Sequence, residues 1–444
     1  MHATEVFGRY AEEYRHTVLT DDVIHHAKRA VIDWYASLFP GLAADPLAQL
    51  EQVLAEDLDH GRARLGNGRS ATARAAALYN GTAAHAAEVD DSFRDAMYHP
   101  GAATIAAALA ASQDTGATGL DFLRALVLGY EVSTRIGVVM GRPHYKFWHN
   151  TGTVGSFGAA AAAGGALGLG AQPFAHALAT AATFTAGLQQ AFRMDSMSKP
   201  LHAGRAAEAG LLAAQMAARG VTGSPDVLDG EAGLGKAMSN GPDWSQAGAT
   251  LGRDFHITRL TFKNHIGCGH TFAAIDAALA LREQHSLQPQ DIAHVQIDTY
   301  KPALDIACYE RPTTANEARF SLRYVVATAL VRGSVRLAAY EPEQLDDRRT
   351  CELITRIDAR IDPQIDAAFP GQRAARLEIT TRGGEKLVHL QPNRKGDPEL
   401  PLSDAELESK FLELATPVIG EQRATDLLQR IWSLDQASDL QGLV

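Results

Sequence analysis

The sequence predicts a mainly α-helical protein with a smaller α+β domain inserted before its C-terminal helices. Alanine-rich segments with apolar residues at helical spacing fill most of the first half of the chain and return at its end. Alternating apolar and polar residues, which are typical of strands, appear after residue 250. A chain of 444 residues is long enough for two domains. We therefore expect an all-helical domain of residues 1–254 and 396–444 and an α+β domain of residues 255–395.

The N-terminal part of the chain should consist of helices. Residues 1–60 are expected to be helical, since Asp21 and Asp22 form an acidic start before apolar residues at helical spacing. Further alanine-rich or amphipathic segments predict helices over 71–87, 102–112, 120–139 and 174–192.

A helix of unusual composition is predicted over residues 154–167. Glycines and alanines fill it almost completely, so its neighbours must approach its backbone closely. We expect a buried central helix with His149 just before its N-terminus. That end carries unpaired N–H groups and a positive dipole, which suit a carboxylate. The alternative is that His149 is an interior histidine with satisfied hydrogen bonds.

The later segment predicts mixed structure before the chain becomes helical again over 403–434. The expected strands are 295–300, 376–381 and 386–391, the last two joined by a hairpin turn at 382–385. The expected helices are 272–284, 322–332 and about 349–361. The C-terminal helices are expected to pack back onto the first half of the chain.

Residues 80–100 form the stretch richest in chemically active side chains. They include two histidines, four carboxylates, a serine and an arginine, between alanine-rich flanks. This composition differs from that of an ordinary surface loop, which draws on Ser, Gly, Lys and Pro. Two interpretations remain open: a polar loop that caps two helices, or a site of proton transfer.

A second polar segment, 194–205, is expected to be a connector. Lys199 precedes a proline, which places it on a loop rather than on a helix face. A single lysine is most often a solvated surface charge, so Lys199 gains meaning only in combination with other residues.

Composition excludes several classes of function. The formal charge of −11, without a Lys/Arg run, argues against nucleic acid as a partner. The three cysteines give no disulfide framework, fit a reducing compartment and are few for an iron–sulfur cluster. The longest apolar run, 159–169, is too short and glycine-broken to span a bilayer, and the first residues lack the apolar core of a signal peptide. We expect a cytoplasmic protein with no membrane association.

Common cofactor and metal motifs are missing from the sequence. No dinucleotide-binding or phosphate-loop glycine pattern follows a strand, and no Gly-x-Ser-x-Gly elbow occurs. His265, Cys268 and His270 are spaced so that they could bind zinc, but no fourth ligand is evident. We therefore predict no metal and no cofactor. Histidines, a lysine and hydroxyl groups beside small-residue helices suit proton transfer next to carboxylates.

Several segments, taken in order, resemble the MmgE/PrpD family, which includes 2-methylcitrate dehydratases, cis-aconitate decarboxylase and iminodisuccinate epimerase. The resemblance covers nearly the whole chain and is carried by residues 76–91, 99–102, 129–132, 149–155, 199–204 and 316–333. It implies a large helical domain, a smaller α+β lid domain, a homodimer, and catalysis without metal or organic cofactor.

The resemblance also implies roles for individual residues. His99 corresponds to the proposed proton donor of the decarboxylase, and His149 and Lys199 to groups that line its pocket. Tyr309 is the first match to its lid tyrosine and Tyr300 the second. These matches give a predicted catalytic set of His99, Lys199, His149 and Tyr309.

The predicted substrate-binding set departs from the family pattern in places. Glu88 stands where the decarboxylase has aspartate, and Ser92 where it has threonine. Cys268 takes the place of a lid histidine, a role that His265 or His270 could fill instead. The full predicted set is Glu88, Ser92, Asp91, His85, His202, His265, Cys268 and His270.

These observations predict a cofactor-independent lyase that dehydrates or decarboxylates a small di- or tricarboxylate through an enolate or carbanion. Epimerisation of a dicarboxylate such as iminodisuccinate is the second hypothesis, since it needs the same deprotonation. The third hypothesis is a catalytically lapsed relative that serves as a scaffold or binding protein. The presence of His99, His149 and Lys199 counts against this third hypothesis.

Overall fold

The computed structural model describes residues 1–192, 196–369 and 371–443, which form two compact units. The first, called here the helical unit, comprises Met1–Phe262 and Ser403–Val444. The second, the mixed unit, comprises Lys263–Leu402. Among the described residues, no helix is both long and apolar enough to cross a membrane.

The helices, in chain order, are α1 (Ala3–Tyr14), α2 (Asp21–Gly41), α3 (Leu47–Val53), α4 (Ala73–Ala86), α5 (Pro100–Thr115), α6 (Gly119–Tyr145), α7 (Asn150–Ala166), α8 (Ala171–Phe184), α9 (Ser198–Ala217), α10 (Leu234–Met238), α11 (Phe272–Gln284), α12 (Lys301–Ile306), α13 (Ala315–Arg319), α14 (Leu322–Arg332), α15 (Pro342–Leu345), α16 (Arg348–Ile354), α17 (Pro363–Ala368), α18 (Asp404–Ile419) and α19 (Glu421–Trp432). The strands are β1 (Leu58–Arg64), β2 (Ser70–Ala71), β3 (Ile292–Thr299), β4 (Ile357–Ile361), β5 (Ala375–Thr381) and β6 (Lys386–Gln391). The predicted fold class, mainly helical with a smaller α+β region, is confirmed.

Helix α7 lies at the centre of the helical unit and packs against α5, α6, α8 and α9. Its residues from Asn150 to Gly164 are all buried. A Cβ atom on Gly158 would lie 2.4 Å from Thr104 Oγ1 of α5, which is closer than atoms can approach. The small residues therefore allow direct contact between helix backbones. The prediction of a buried central helix preceded by His149 is confirmed.

The C-terminal helices return to the first half of the chain, as expected. Helix α18 packs on α2. Between them, Lys410 Nζ lies 2.5 Å from Asp33 Oδ1 and 3.0 Å from the carbonyl oxygen of Val89. A buried ammonium group is stable only when charged and polar partners surround it, as these do. The contact with Val89 anchors the segment that follows α4.

The mixed unit contains a four-stranded sheet in the order β4-β3-β5-β6. Strands β3 and β4 are parallel, whereas β3–β5 and β5–β6 are antiparallel. The hairpin predicted between β5 and β6 is present, and α11 packs on this pair of strands. Helices α11 and α14 begin and end at the predicted residues.

Four local predictions were wrong. Residues 1–60 are not helical throughout, because β1 begins at Leu58 and pairs with β2. The helix expected over 349–361 ends at Ile354, and the chain continues as β4. The helix expected over 174–192 ends at Phe184 and is followed by a 3₁₀ turn, Gln189–Phe192. Helix α9 begins at Ser198, so Lys199 lies in its first turn; residues 194 and 195 of the expected connector lie outside the described residues.

The unit boundary differs from the expected position. Residues 255–262 belong to the helical unit, because the backbone N–H of His256 donates to Glu131 Oε1 on α6 at 2.6 Å. Ser92 and Thr261 also exchange backbone hydrogen bonds, each 2.9 Å long. The second boundary falls between Leu402 and Ser403, next to the N-cap of α18.

Candidate active site

Residues 87–99 connect α4 to α5 and bring the side chains of His85, Asp90 and His99 together. His85 lies in the last turn of α4, and His99 is the N-cap of α5, which starts with a proline. The segment turns at Glu88, whose φ of 60° lies in the left-handed region. A bridge between Phe93 and Tyr98 then folds the rest back on itself. A left-handed conformation at a non-glycine residue is uncommon and occurs often at functional sites.

Asp90 lies between the two histidines of this segment. Its Oδ2 atom is 2.8 Å from His85 Nδ1 and 3.5 Å from His99 Nδ1. The two imidazole rings are 5.1 Å apart. Asp90 and His85 are buried, whereas 21% of the His99 side chain is exposed. One carboxylate thus contacts one fully enclosed imidazole and one accessible imidazole.

The hydrogen bonds of His99 define which of its nitrogens can exchange a proton. Nδ1 lies 2.6 Å from the carbonyl oxygen of Asp91, which can only accept a hydrogen bond. Nδ1 therefore carries a hydrogen, and the backbone N–H of His99 is held by Thr151 Oγ1 at 3.2 Å. In the neutral ring the lone pair is then at Nε2. His99 is arranged to give or take a proton through Nε2.

His149 and His202 extend the group to four imidazoles. His149 caps α7, and its ring stacks on that of His85 with centroids 5.4 Å apart. Its Nδ1 lies 3.0 Å from Nδ1 of His202, in the first turns of α9. The carbonyl oxygen of Gly187 accepts from the backbone N–H of His149 at 2.9 Å, which fixes the start of α7.

Burial lowers the pKa of both histidines in this pair. The pKa of His149 lies well below its usual value because of burial, with smaller contributions from His85 and Lys199. The pKa of His202 falls to about 4, again mainly through burial. Both rings are therefore neutral near pH 7, and each can serve as a hydrogen-bonding group rather than as a cation.

Lys199 brings a cation to this region. It lies in the first turn of α9, and its Nζ donates to Glu88 Oε1. The side chains of Lys199 and Glu88 are 24% and 31% exposed, so ligands can reach them. An anion that enters here would compete with Glu88 for the ammonium group.

Asp91 follows Asp90 in the chain, but its carboxyl group is directed away from the cluster formed by His85, Asp90, His99, His149 and His202. Its carboxyl group accepts from the Gly101 backbone N–H at 2.9 Å and from the Tyr130 hydroxyl at 2.8 Å. Burial, together with the nearby Asp33 carboxylate, raises the pKa of Asp91 to about 8. These contacts give Asp91 a part in fixing the start of α5, whereas substrate binding was its predicted role. Ser92 is half-buried and holds Thr261 through its backbone.

The remaining predicted site residues lie in the mixed unit. His265 Nε2 is 2.8 Å from Asp276 Oδ1, and Cys268 is buried, with its backbone N–H donating to the carbonyl oxygen of Arg319. His270 Nδ1 is 2.9 Å from the hydroxyl of Tyr300. Of the two candidate tyrosines, Tyr300 is thus buried beside a histidine, whereas Tyr309 is 43% exposed.

Burial and nearby arginines set the protonation of the His270–Tyr300 pair. The pKa of His270 is lowered to about 3 by burial and by Arg373 and Arg394. The ring of Tyr300 stacks on Phe369 with centroids 4.8 Å apart, and burial raises the pKa of its hydroxyl. Both groups are therefore neutral at physiological pH.

Among the described residues, His85, Asp90 and His99 lie close enough to consider a metal ion. One ligand atom from each lies within 4.8 Å of the other two. However, a metal ligand needs a nitrogen lone pair, and Nδ1 of His99 carries a hydrogen because it faces a carbonyl oxygen. Nδ1 of His85 faces a carboxylate in the same way. Both Nδ1 atoms are thus engaged in hydrogen bonds, which leaves Nε2 of each ring as the nitrogen that could coordinate an ion. The absence of a metal stays a prediction.

Sequence reasoning did not select two residues that the structure places at the cluster. Asp90 was counted among the carboxylates of residues 80–100, but nothing in the sequence distinguished it from Asp91. Thr151, whose Oγ1 accepts from the His99 backbone, stands in the sequence two residues after His149. Its position in the first turn of α7, close to His149, was the one sequence feature that could have indicated it.

Comparison with known proteins gives matches along nearly the whole chain. The family model of the MmgE/PrpD N-terminal domain matches residues 5–247, and that of the MmgE/PrpD C-terminal domain matches residues 265–435. A cis-aconitate decarboxylase-like protein of Aspergillus oryzae is 28% identical over 98% of this chain and 95% of its own length. Human cis-aconitate decarboxylase is 27% identical over 98% and 92%, and the Aspergillus terreus enzyme is 25% identical over 96% and 92%.

Proposed function

Since the chain belongs to the MmgE/PrpD family, we propose that it is a lyase that decarboxylates a small tricarboxylate of the cis-aconitate type. The relatives whose names specify an activity are decarboxylases of this acid. The observation that carries the proposal is the hydrogen bond from His99 Nδ1 to the Asp91 carbonyl oxygen. It directs proton exchange to Nε2 of a partly accessible imidazole, as a general acid requires.

The proposed reaction needs one proton and no redox change. The bond from carbon to the departing carboxylate breaks, CO₂ leaves, and the electron pair remains on carbon, where it is delocalised toward a neighbouring carboxylate. His99 donates the proton on Nε2 to this carbanion, and neutral His99 then regains a proton from water. The product is a dicarboxylate. A positioned general acid accelerates such a step by about 10² to 10⁴.

Two groups in the helical unit are proposed to bind the carboxylates that remain. The ammonium group of Lys199 would exchange Glu88 for a substrate carboxylate. The N-terminus of α7, capped by His149, offers backbone N–H groups and the positive end of a helix of 17 residues. These positive groups stabilise the negative charge that develops on the substrate. His265, Cys268, His270 and Tyr309 stay predictions as substrate-binding or catalytic groups.

The family resemblance leads us to propose also that the protein is a homodimer. Leu188, which is 54% exposed, forms a backbone bridge with Trp148, and the preceding residue Phe147 is 60% exposed. Exposed apolar side chains of this size often mark a contact surface. Light scattering on the purified protein tests the oligomeric state.

The reaction is tested by incubating the protein with cis-aconitate, citrate-type and succinate-type acids in D₂O. Release of CO₂ together with a deuterium-labelled dicarboxylate, followed by NMR, is the expected result. Loss of water without CO₂ would identify a dehydratase instead. Deuterium exchange with neither loss would identify an epimerase, and no change in any acid would favour a binding or scaffold protein. Repeating the assay after chelation tests whether a metal takes part.

A further inference from the structure

We propose that Asp90 and His85 form a buried dyad that holds the imidazole of His99 in its protonated, proton-donating form. In this view Asp90 is a positioning residue that acts through His99 and does not touch the substrate. The inference rests on the proposed function, because it assigns Asp90 a task in the proton transfer from His99. The predicted sites above include His85 as a substrate-binding group and do not include Asp90.

The dyad is oriented so that His85 contacts Asp90 and Asp90 in turn contacts His99. One oxygen of Asp90 lies 2.8 Å from Nδ1 of His85 and 3.5 Å from Nδ1 of His99. His85 is completely enclosed, with a side-chain exposure of 0%, and its Nε2 has no hydrogen-bond partner within the described part of the chain. His85 is thus placed to act on Asp90 and not on a ligand. Its Nδ1 hydrogen keeps the carboxylate oriented toward His99.

The charge of Asp90 explains why this arrangement matters for a general acid. A buried carboxylate is costly unless hydrogen-bond donors and positive charge surround it. His85 supplies an N–H donor, and the imidazolium form of His99 supplies the positive charge. An anion at this distance favours the charged form of a histidine. Asp90 therefore favours the state of His99 that can give a proton to a carbanion.

Among the described residues, two further acids lie near this group, Asp91 and Asp33. Asp91 holds His99 through its backbone oxygen, but its own carboxyl group has a pKa raised to about 8 and is directed at Tyr130 and Gly101. Asp33 is occupied by Lys410, which also binds the Val89 carbonyl oxygen. Both of these acids are therefore engaged elsewhere.

The remaining neighbours on α4, α7 and α9 carry little or opposing charge. His149 stacks on His85, and burial lowers the pKa of both His149 and its partner His202, so these rings stay neutral. Lys199 is positive and is bonded to Glu88. Within the described part of the chain, Asp90 is consequently the carboxylate that contacts His85 and His99 together.

The test is the isosteric variant Asp90→Asn, studied by two measurements. The pH profile of kcat/KM should lose activity on its alkaline side at a pH lower by about one unit, because an opposite charge of this kind shifts a titration by about one to three units. KM at the acidic end should change little, while kcat falls about ten-fold or more. Asp358→Asn, which removes an exposed carboxylate 3.0 Å from His294 in the mixed unit, is the matched control and should leave the profile in place.

The second measurement does not require activity. In protein labelled with ¹⁵N-histidine, the His99 signals, assigned through His99→Gln, should titrate at lower pH in Asp90→Asn than in the wild type. An unchanged titration of His99 would overturn the proposal. A shifted titration in a protein that converts none of the tested acids would support the dyad and overturn the proposed reaction. The two ideas can therefore fail separately.

Wild-type protein decides the matter if Asp90→Asn does not fold. His99 should keep hydrogens on both Nδ1 and Nε2 to a pH about one unit above the ordinary histidine value of about 6.5. Loss of the Nε2 hydrogen at or below about pH 6.5 would overturn the proposal. Titration with Zn²⁺ followed by calorimetry gives a further check: tight binding that perturbs the His85 and His99 signals would show a metal site in place of the dyad.

Discussion

The Nδ1 atoms of His149 and His202 lie 3.0 Å apart, so that one imidazole must donate a hydrogen and the other must accept it. Two imidazolium rings cannot make this contact, because both nitrogens would carry hydrogens. The contact therefore agrees with the lowered pKa values of the two rings. It also joins α7 to α9 at the end where Lys199 is located.

This pair should make folding stability depend on pH. The pKa of His202 is lowered to about 4 in the folded protein, whereas in the unfolded chain it has the ordinary value of about 6.5. The free energy of unfolding of the wild type should therefore decrease as the pH is lowered from about 6.5 to about 4. His202→Asn, which can retain a hydrogen bond at the position of Nδ1, should lose less stability between pH 7 and pH 5. Urea unfolding curves measure this, and equal losses in the two proteins would contradict the prediction.

Replacing His99 should remove the proton donor without unfolding the protein. We expect His99→Gln to lower kcat by about 100-fold or more, since a general acid contributes about 10² to 10⁴. The matched control is His60→Gln on β1, where an exposed histidine also places Nδ1 near a backbone carbonyl oxygen, at 2.9 Å. Circular dichroism should match the wild type for both variants. Full activity in His99→Gln would remove this residue from the mechanism.

Lys199 and Glu88 should affect substrate binding in opposite directions. Lys199→Met removes the proposed carboxylate partner and should raise KM strongly. Glu88→Gln removes the internal competitor for Lys199 and should lower KM for tricarboxylates. Stability should change by less than about 1 kcal/mol in Glu88→Gln, because the pair is partly exposed. Lys386→Met, which breaks an exposed pair with Glu378 on the sheet, is the control for steady-state kinetics.

Asp91 should lower stability as the pH rises. Its folded-state pKa of about 8 lies above the unfolded value, so its contribution is complete below about pH 4 and is lost as the pH rises toward 8. Asp91→Asn can accept from Gly101 and donate to the oxygen of Tyr130, and it does not titrate. The Tm of this variant relative to wild type should increase from pH 5 to pH 8 and then level off. A constant difference would show that Asp91 ionises normally.

A larger residue at position 152 should destabilise the protein. A Cβ atom there would lie 2.4 Å from the carbonyl oxygen of Ala186 and 3.2 Å from Cβ of His202. Gly152→Ala should therefore cost about 1–3 kcal/mol, as overpacking does elsewhere, and should displace His202. Gly165→Ala, in the same helix, meets a flexible leucine side chain at 3.2 Å and serves as the control. Thermal unfolding of both variants measures the difference.

The elements that were predicted well from the sequence are those whose residue pattern indicates directly which side chains are buried. Helix α7 was recognisable because its glycines and alanines leave no alternative to close packing, and α11 and α14 because their apolar periodicity ends at clear boundaries. Strand β1 was missed because only Leu58 and Ala63 of its seven residues are buried, which leaves almost no alternation. Strand β4 was read as helix for a similar reason, since only its first residue is buried.

The sequence predicted which segment forms the candidate site, but not which of its side chains contact one another. Residues 80–100 were identified by their density of titratable groups, yet Asp90 and Asp91 are adjacent and have the same side chain. The role of Asp91 depends on Tyr130 of α6, and Lys410 of α18 binds the neighbouring Val89 carbonyl oxygen; both partners are far away in the sequence. Such long-range contacts leave no local pattern. Lys199 was expected on a loop because a proline follows it, but Pro200 occupies the first turn of α9, where proline is tolerated.

The glycine- and alanine-filled α7 has a consequence for how firmly His149 is held. Long side chains lose rotational entropy when a core forms, up to about 2 kcal/mol each, whereas glycine and alanine have none to lose. The backbone of α7 is therefore immobilised by direct contact with its neighbours, and its glycines and alanines lose no side-chain entropy. His149 is the N-cap of that helix, so these main-chain contacts fix its backbone position. Its imidazole should therefore stay ordered even when surrounding side chains exchange conformers.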